Sequence, residues 1–189
     1  MGLFAWIRHF FNSDDNSRRI VHLGNVGMDQ GLKTRRYAER FLNFRFIGID
    51  YDKAPQNRPA NWQQIEADFL KGLNSLEDEC VDLMTSELAL GHYGYQVNGK
   101  MKILRELYTR KVLKAAWKKL KVGGKVQIVV GDQLALKIVN NALKEVGFRN
   151  VKLDTINCKE AMKTPYMKKY FEEPGAYLSS GLIRISAVK

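Results

Sequence analysis

Four apolar, strand-like segments in the first half of the chain each run into a glycine-rich loop or a polar residue. These segments span residues 19–23, 44–50, 63–67 and 80–85. The first leads into the glycine-containing loop 24–31, the second ends in Asp50, the third is followed by Asp68 and the fourth by Ser86. Open α/β sheets bind ligands just beyond the carboxyl ends of their strands. The pattern therefore predicts such a sheet, with a ligand site at one edge.

The remainder of the chain continues the alternation of strands and helices. Further strands are predicted at 125–130, 150–156 and 181–188. Helices are predicted after the first strand through about Phe41, at roughly 98–120 and at 132–146, with Gly123-Gly124 and Gly147 as stop signals. The fold class is therefore α/β: a doubly wound, mostly parallel seven-stranded sheet with right-handed crossovers. The segment 157–180 contains no obvious crossover helix, so the last strand is expected to be antiparallel.

Two segments stand apart from this alternation. Residues 1–17 are predicted to form a short amphipathic helix followed by a polar linker, leaving a main domain at 18–189. Within that domain, the insert 157–180 interleaves lysines with tyrosines, between Lys159 and Lys169 and onward to Tyr177. A chain of 189 residues is long enough for one such domain with a full core.

Composition restricts the partners and the compartment. The formal net charge of +11 favours a polyanionic partner, most commonly nucleic acid. No apolar run approaches the roughly 20 residues of a membrane helix, and no signal-peptide pattern opens the chain, so we expect a cytoplasmic protein without a membrane partner. Cys80 and Cys158 are expected to be buried thiols, and the scattered histidines give no metal-ligand spacing.

Five stretches in register carry a resemblance to the class I (Rossmann-like) S-adenosylmethionine-dependent methyltransferases over roughly residues 18–189. They are Ile47–Asp50, Glu66–Phe69, Leu76–Leu83, Leu120–Lys125 and Leu143–Phe148. The resemblance implies S-adenosylmethionine as cofactor. It also implies that Asp50 holds the cofactor ribose and that Asp68 meets the adenine edge. The cofactor-binding residues that it implies are Gly24, Asn25, Gly27, Asp50, Tyr51, Asp68, Phe69 and Ser86.

The first glycine motif departs from the family pattern. His22 stands where the family usually has an acid that contacts the methionine part of the cofactor, and Val26 stands where a glycine is preferred. A β-branched residue resists the positive φ of such loops. Asp29 is a candidate for the displaced acid. A dinucleotide-binding alternative is set aside, because the Gly-x-x-Gly-x-x-x-Gly spacing lacks the Gly-x-Gly-x-x-Gly fingerprint.

Candidate catalytic residues follow the fourth strand. Methyl transfer depends mainly on holding the acceptor in line with the methyl group, so the family needs no universal catalytic residue. Glu87 or His92 is a candidate base, with Tyr93 stacking on the acceptor. The alternative is that Glu87 and His92 are ordinary polar loop residues.

Basic residues indicate the partner. A cluster runs from Lys100 to Lys125 with a single acid, Glu106, and a second set runs from Lys159 to Lys169 beside tyrosines. Phosphates and unpaired bases suit such residues. A solvated helix face or a lid over a small substrate would explain the same residues.

Two functions remain open at this point. The first is a methyltransferase acting on RNA or on an RNA-bound complex, with a protein partner possible. The second is a catalytically inactive, methyltransferase-like RNA-binding or assembly subunit. A small-molecule methyltransferase would leave the basic excess unexplained.

Overall fold

The computed structural model describes residues 18–24, 31–53, 55–91, 101–156 and 182–189, of which 101–104 are described by their backbone alone. Its strands are β1 (Arg18–Leu23), β2 (Phe44–Asp50), β3 (Trp62–Glu66), β4 (Val81–Glu87), β5 (Leu120–Val130), β6 (Arg149–Ile156) and β7 (Leu182–Val188). Its helices are α1 (Leu32–Arg40), α2 (Phe69–Asn74), α3 (Met101–Lys119) and α4 (Gln133–Val146).

The seven strands form one sheet in the order β3-β2-β1-β4-β5-β7-β6. All neighbouring pairs are parallel except the two that involve β7, which runs antiparallel to both β5 and β6. The α/β class, the mostly parallel seven-stranded sheet and the antiparallel last strand are thus confirmed.

The two faces of the sheet carry different layers. One face packs against α2, α3 and α4 around Val21, Leu23 and Ile128. The other face carries α1, whose inward residues Tyr37 and Ala38 meet an apolar cluster on the first strands. Strands covered on both sides read as nearly continuous apolar runs, which is why β2 and β5 were recognisable from sequence.

The ends of two helices test the predicted stop signals. The third helix ends at Lys119, close to the predicted residue 120, but the glycine pair is not what stops it. Leu120 already pairs with Val81, and Lys119 is tied to the backbone carbonyl of Leu76. Gly123 instead lies in an irregular stretch of β5, with φ of +77°. The predicted end of α4 at Gly147, which adopts φ of +102°, is confirmed.

Helix α2 is absent from the prediction because it is only six residues long. Asp68 caps it, accepting a hydrogen bond from the Lys71 backbone N–H at 3.0 Å. So short a helix has little intrinsic stability, and the packing of its buried residues Phe69 and Leu73 stabilises it.

Several predicted features lie outside the described residues. They are the N-terminal helix and linker at 1–17 and the insert at 157–180. The division into these segments therefore stays a prediction. Within the described part of the chain, no helix is both long and apolar enough to cross a membrane.

Candidate functional site

The strand order places a crevice between β1 and β4. The chain leaves β1 toward β2 on one side, while β4 flanks it on the other, and ligands of open α/β sheets bind at such a switch point. The structure brings Gly24, Asp50, Asp68 and Ser86 to the same, carboxyl edge of the sheet, with Glu87 at the end of β4.

Gly24 makes the turn that leaves β1. It adopts φ of +73°, and its N–H donates to the carbonyl oxygen of Ile49 at 2.9 Å. A Cβ atom at this position would lie 2.7 Å from the Cβ of Ala89 and 3.6 Å from the ring of Phe69. The exits of β1 and β4 therefore approach each other so closely that only glycine fits between them.

Asp50 and Tyr51 form the end of β2. Asp50 is only 8% exposed, and its Oδ1 accepts a hydrogen bond from the Asp52 backbone N–H at 3.3 Å. The next residue, Tyr51, is 64% exposed. An anchored carboxylate beside an accessible aromatic ring is a suitable arrangement for a nucleoside.

Three further predicted cofactor residues have structural tasks as well. Asp68 is the N-cap of α2, and the buried hydroxyl of Ser86 accepts a hydrogen bond from the Leu90 backbone N–H at 3.1 Å. Phe69 is buried against the Gly24 turn. Their contact with a cofactor stays a prediction.

Glu87 forms an ion pair with Lys33 of α1, and both side chains are largely shielded from solvent. Burial would raise the pKa of the Glu87 carboxyl, but the opposing charge of Lys33, together with that of Arg184, brings it below its ordinary value. Leu88 follows in a left-handed conformation, φ of 53°, which is uncommon for a residue other than glycine. Glu87 is therefore an ionised, positioned carboxylate; its role as a base stays a prediction.

His22 is 9% exposed, and its Nδ1 lies 3.2 Å from the hydroxyl oxygen of Thr34, within hydrogen-bonding distance. Burial lowers the pKa of His22 to about 4, and the positive charge of Lys33 acts in the same direction. The ring is consequently neutral near pH 7, and this position of β1 provides no charge to a ligand.

A row of polar residues crosses the sheet at the level of His22. His22 lies opposite Gly48 on one side and Thr85 on the other, and the row continues through Gln127 to Ser186. Gln127 is 3% exposed, and its Oε1 has no hydrogen-bond partner among the described residues. The sheet face that carries α1 therefore changes from apolar to polar toward the ligand edge.

Sequence reasoning missed several members of this polar layer. Lys33 and Thr34 belong to α1, and Arg184 belongs to β7, whose start returns to the ligand edge because the strand is antiparallel. The available signal was the helical spacing of Thr34, Tyr37 and Ala38, which defines the inward face of α1.

Other predicted residues are not part of this edge as described. Asn25, Gly27 and His92 lie outside the described residues, as does Lys100 at the start of the basic cluster. In the described ranges, no three His, Cys, Asp or Glu side chains are grouped to hold a metal ion.

The basic cluster on α3 and the start of β5 contains two kinds of residue. Lys119 pairs with Asp78 at 2.6 Å and Lys121 with Asp82 at 2.9 Å, so both are tied to the loop before β4 and to β4 itself. Lys111, Lys114 and Lys118 are exposed at helical spacing and form one outer stripe. The name "lysine stripe" is used below for these three residues.

A groove of about 680 Å³ lies at the opposite edge of the sheet, at the amino ends of β1 to β3. Polar side chains, including those of Arg19, Arg45 and Asn61, line it. It lies at the far end of these strands from Gly24 and Asp50, so it is separate from the switch-point crevice.

The sequence matches no protein-family model, and no curated protein resembles it closely enough to count as a relative. Solved structures are similar in fold. Phosphoethanolamine N-methyltransferase 2 of Haemonchus contortus, in complex with S-adenosyl-L-methionine, superposes with a TM-score of 0.60 at 16% identity, covering 98% of this chain and 51% of that chain. This chain thus spans about half the length of that enzyme.

Two shorter proteins match over nearly their whole length. A SAM-dependent methyltransferase of Archaeoglobus fulgidus has a TM-score of 0.58 at 15% identity, covering 98% of this chain and 92% of that one. An S-adenosylmethionine-dependent methyltransferase of Mesorhizobium loti has a TM-score of 0.57 at 15% identity, covering 98% and 97%. This chain has the fold of the class I S-adenosylmethionine-dependent methyltransferases.

Proposed function

We propose that this protein is an S-adenosylmethionine-dependent methyltransferase that acts on RNA or on an RNA-bound complex. The observation that carries the proposal is the buried carboxylate of Asp50, placed at the switch point next to the Gly24 turn. In this arrangement Asp50 would hold the ribose hydroxyls and Tyr51 would cover the nucleoside, while the Gly24 turn brings the exits of β1 and β4 together beside them.

The residues present fit such a group. A Cβ at Gly24 would collide with the Cβ of Ala89, so glycine is required there by the turn itself. The fit to a nucleoside rests on the shielded Asp50 carboxylate beside the exposed ring of Tyr51. The solved structure of the Haemonchus contortus enzyme contains S-adenosyl-L-methionine on a similar fold, which supports the same cofactor here.

The bound cofactor would supply an electrophilic methyl group on a sulfonium. The task of this chain is then to bind it and to orient the acceptor, which accounts for most of the rate effect in such a displacement. The ionised Glu87 carboxylate is a poor proton acceptor while it is paired with Lys33. A nucleophilic acceptor that needs little help from a base is therefore favoured.

The lysine stripe supports RNA as the acceptor or as the carrier of the acceptor. Three exposed ammonium groups one turn apart on α3 suit a phosphate backbone, and the chain carries a formal net charge of +11. Lys119 at the end of this helix and Lys121 at the start of β5 are already paired with acids, whereas the three residues of the stripe are exposed.

A second candidate function, an inactive RNA-binding or assembly subunit, is favoured by one observation. His22 is neutral, buried and committed to Thr34, so the position that carries an acid in the resembling family provides no charge here. Loss of that contact without compensation would leave the fold intact and the cofactor unbound.

Calorimetric titration with S-adenosylmethionine tests the proposal. We expect micromolar binding by the native protein, loss of binding by Asp50→Ala, and unchanged binding by Asp52→Ala, which removes an exposed carboxylate two residues away. Absence of binding by a folded protein that still binds RNA would contradict the enzyme and favour the assembly subunit.

A further inference from the structure

Resting on the proposed function, we propose that Glu87 binds the ammonium group of the amino-acid portion of S-adenosylmethionine, and that Lys33 fills this cation site when the cofactor is absent. Glu87 is thus assigned as a binding residue rather than as a base. Lys33 is assigned as its exchangeable partner.

The position of Glu87 is the first reason. Ser86 lies opposite Leu23 in the register of β4 and β1, so Glu87 is level with the Gly24 turn. Leu88, with its left-handed φ and its N–H donating to Val129 at 2.9 Å, fixes the backbone directly after it. The carboxylate is therefore held at the switch point rather than carried on an open loop.

The charges at this edge are the second reason. S-adenosylmethionine carries two cations, the ammonium and the sulfonium, and a cation that enters a shielded site needs an anion there. His22 is neutral, and Asp68 already accepts the capping hydrogen bond of α2. On the β4 side of the Gly24 turn, the shielded carboxylate in the described structure is that of Glu87.

Lys33 is the third reason. Its Nζ forms the ion pair with Glu87 and lies 5.9 Å from the centre of the Tyr37 ring. A lysine ammonium and an amino-acid ammonium have the same charge and the same three donors, so either one satisfies the carboxylate. Lys33 is the second residue of α1, and its long stem allows the ammonium to turn away while the backbone stays in place.

This exchange also explains how a carboxylate can be shielded without a bound ligand. Removing one partner of a buried ion pair leaves an uncompensated charge, which is strongly unfavourable. With Lys33 present, the site is neutral in the free protein, and the incoming ammonium replaces one cation with another.

Three nucleosides separate the contributions in a calorimetric titration of the full chain. Of the two cations, S-adenosylmethionine carries both, S-adenosylhomocysteine carries only the ammonium, and 5′-methylthioadenosine carries neither. The first two also share the amino-acid carboxylate, which 5′-methylthioadenosine lacks. We expect Glu87→Gln to weaken the first two by about tenfold or more and 5′-methylthioadenosine by less than about twofold. Glu66→Gln, which removes an exposed carboxylate at the end of β3, is the matched control and should change none of the three.

Lys33→Met tests the exchange. Without the competing ammonium, S-adenosylmethionine should bind about tenfold or more tightly than to the native protein, whereas 5′-methylthioadenosine should bind equally to both. Because this variant leaves Glu87 unpaired, its thermal midpoint should fall in the free protein and recover in Lys33→Met/Glu87→Gln. Ligand-induced thermal shifts give the same comparison for a variant too unstable for calorimetry.

The outcomes distinguish this inference from the function on which it rests. Equal affinity of native and Glu87→Gln protein for S-adenosylmethionine overturns the assignment of Glu87 and leaves the proposed function intact. A loss confined to S-adenosylmethionine overturns it in favour of a contact to the sulfonium. Absence of S-adenosylmethionine binding by the folded native protein overturns the proposed function and this inference together.

Discussion

His22 illustrates how one buried side chain makes stability depend on pH. Its folded pKa of about 4 lies below the ordinary 6.5 because burial disfavours the charged ring. The stabilising contribution is complete above pH 6.5, where both states are neutral. It is lost as the pH falls toward 4, because the unfolded chain then takes up a proton that the folded chain does not.

We therefore expect the free energy of unfolding to fall by about 3 kcal/mol through this group between pH 6.5 and pH 4. His22→Asn keeps a polar partner for Thr34 and removes the titration, so its loss over the same range should be smaller by that amount. Urea unfolding at a series of pH values measures both. Parallel profiles for the two proteins would contradict a buried neutral histidine.

Substitutions at Gly24 and Gly123 distinguish the cost of backbone strain from the cost of a steric clash. The two glycines share nearly the same φ, +73° and +77°, but a Cβ at Gly24 meets Ala89 at 2.7 Å, whereas a Cβ at Gly123 meets nothing within 4 Å. Gly123→Ala should cost about 1 kcal/mol of stability, and Gly24→Ala about 1 to 3 kcal/mol more. Chemical denaturation measures the difference, and equal losses would show that the exits of β1 and β4 separate easily.

In helix α2, Asp68 is both the N-cap and a predicted cofactor-binding residue. Asp68→Asn preserves an N-cap acceptor, whereas Asp68→Ala removes it at a cost of about 1 kcal/mol. We expect both variants to lose affinity for S-adenosylmethionine but only the alanine variant to lose stability. Calorimetry combined with thermal unfolding tests this, and unchanged affinity in the asparagine variant would leave Asp68 as a cap alone.

Strand β7 shows how the direction of one element adds residues to a site. Because it runs antiparallel to β5, its first residues return to the ligand edge. Arg184 lies beside Val129 of β5, and Val129 in turn lies beside Glu87 of β4. The predicted antiparallel direction was correct. The consequence for Arg184 required the register, which no local pattern encodes.

Over the whole molecule, only part of the positive charge is available to bind a polyanion. Acids already pair with Lys119, Lys121 and Arg110, whereas the lysine stripe presents its charge to solvent. The three lysines of the stripe are exposed, so they can be replaced with little effect on stability.

Replacing Lys111, Lys114 and Lys118 together by glutamine should weaken RNA binding and reduce the slope of log K against log salt concentration by about 2, at about 0.7 per phosphate on a single strand. Replacing Arg36, Arg45 and Arg58 removes the same charge from exposed positions elsewhere and should leave the slope nearly unchanged. Fluorescence anisotropy with a single-stranded RNA at several salt concentrations measures it. Equal effects of the two triple variants would indicate a response to net charge alone.

The pattern of residues along the chain determined the α/β class, the mostly parallel seven-stranded sheet and the acid at the end of β2. Alternation of apolar strands and amphipathic helices, Asp50 after its strand and Gly147 after α4 are local signals, since each depends on neighbours a few residues apart. The short helix α2 was not predicted, because a six-residue segment is stabilised by packing rather than by its own helix propensity.

Tertiary packing alone determined the charge state and the partners at the ligand edge. Glu87 meets Lys33, and His22 meets Thr34, across separations of 54 and 12 residues that no periodicity connects. A residue's pKa depends on burial and on charges brought close by the fold. For this reason the chain's sequence indicated where its site lies, and the folded arrangement indicated that Glu87 is a shielded carboxylate already occupied by a cation.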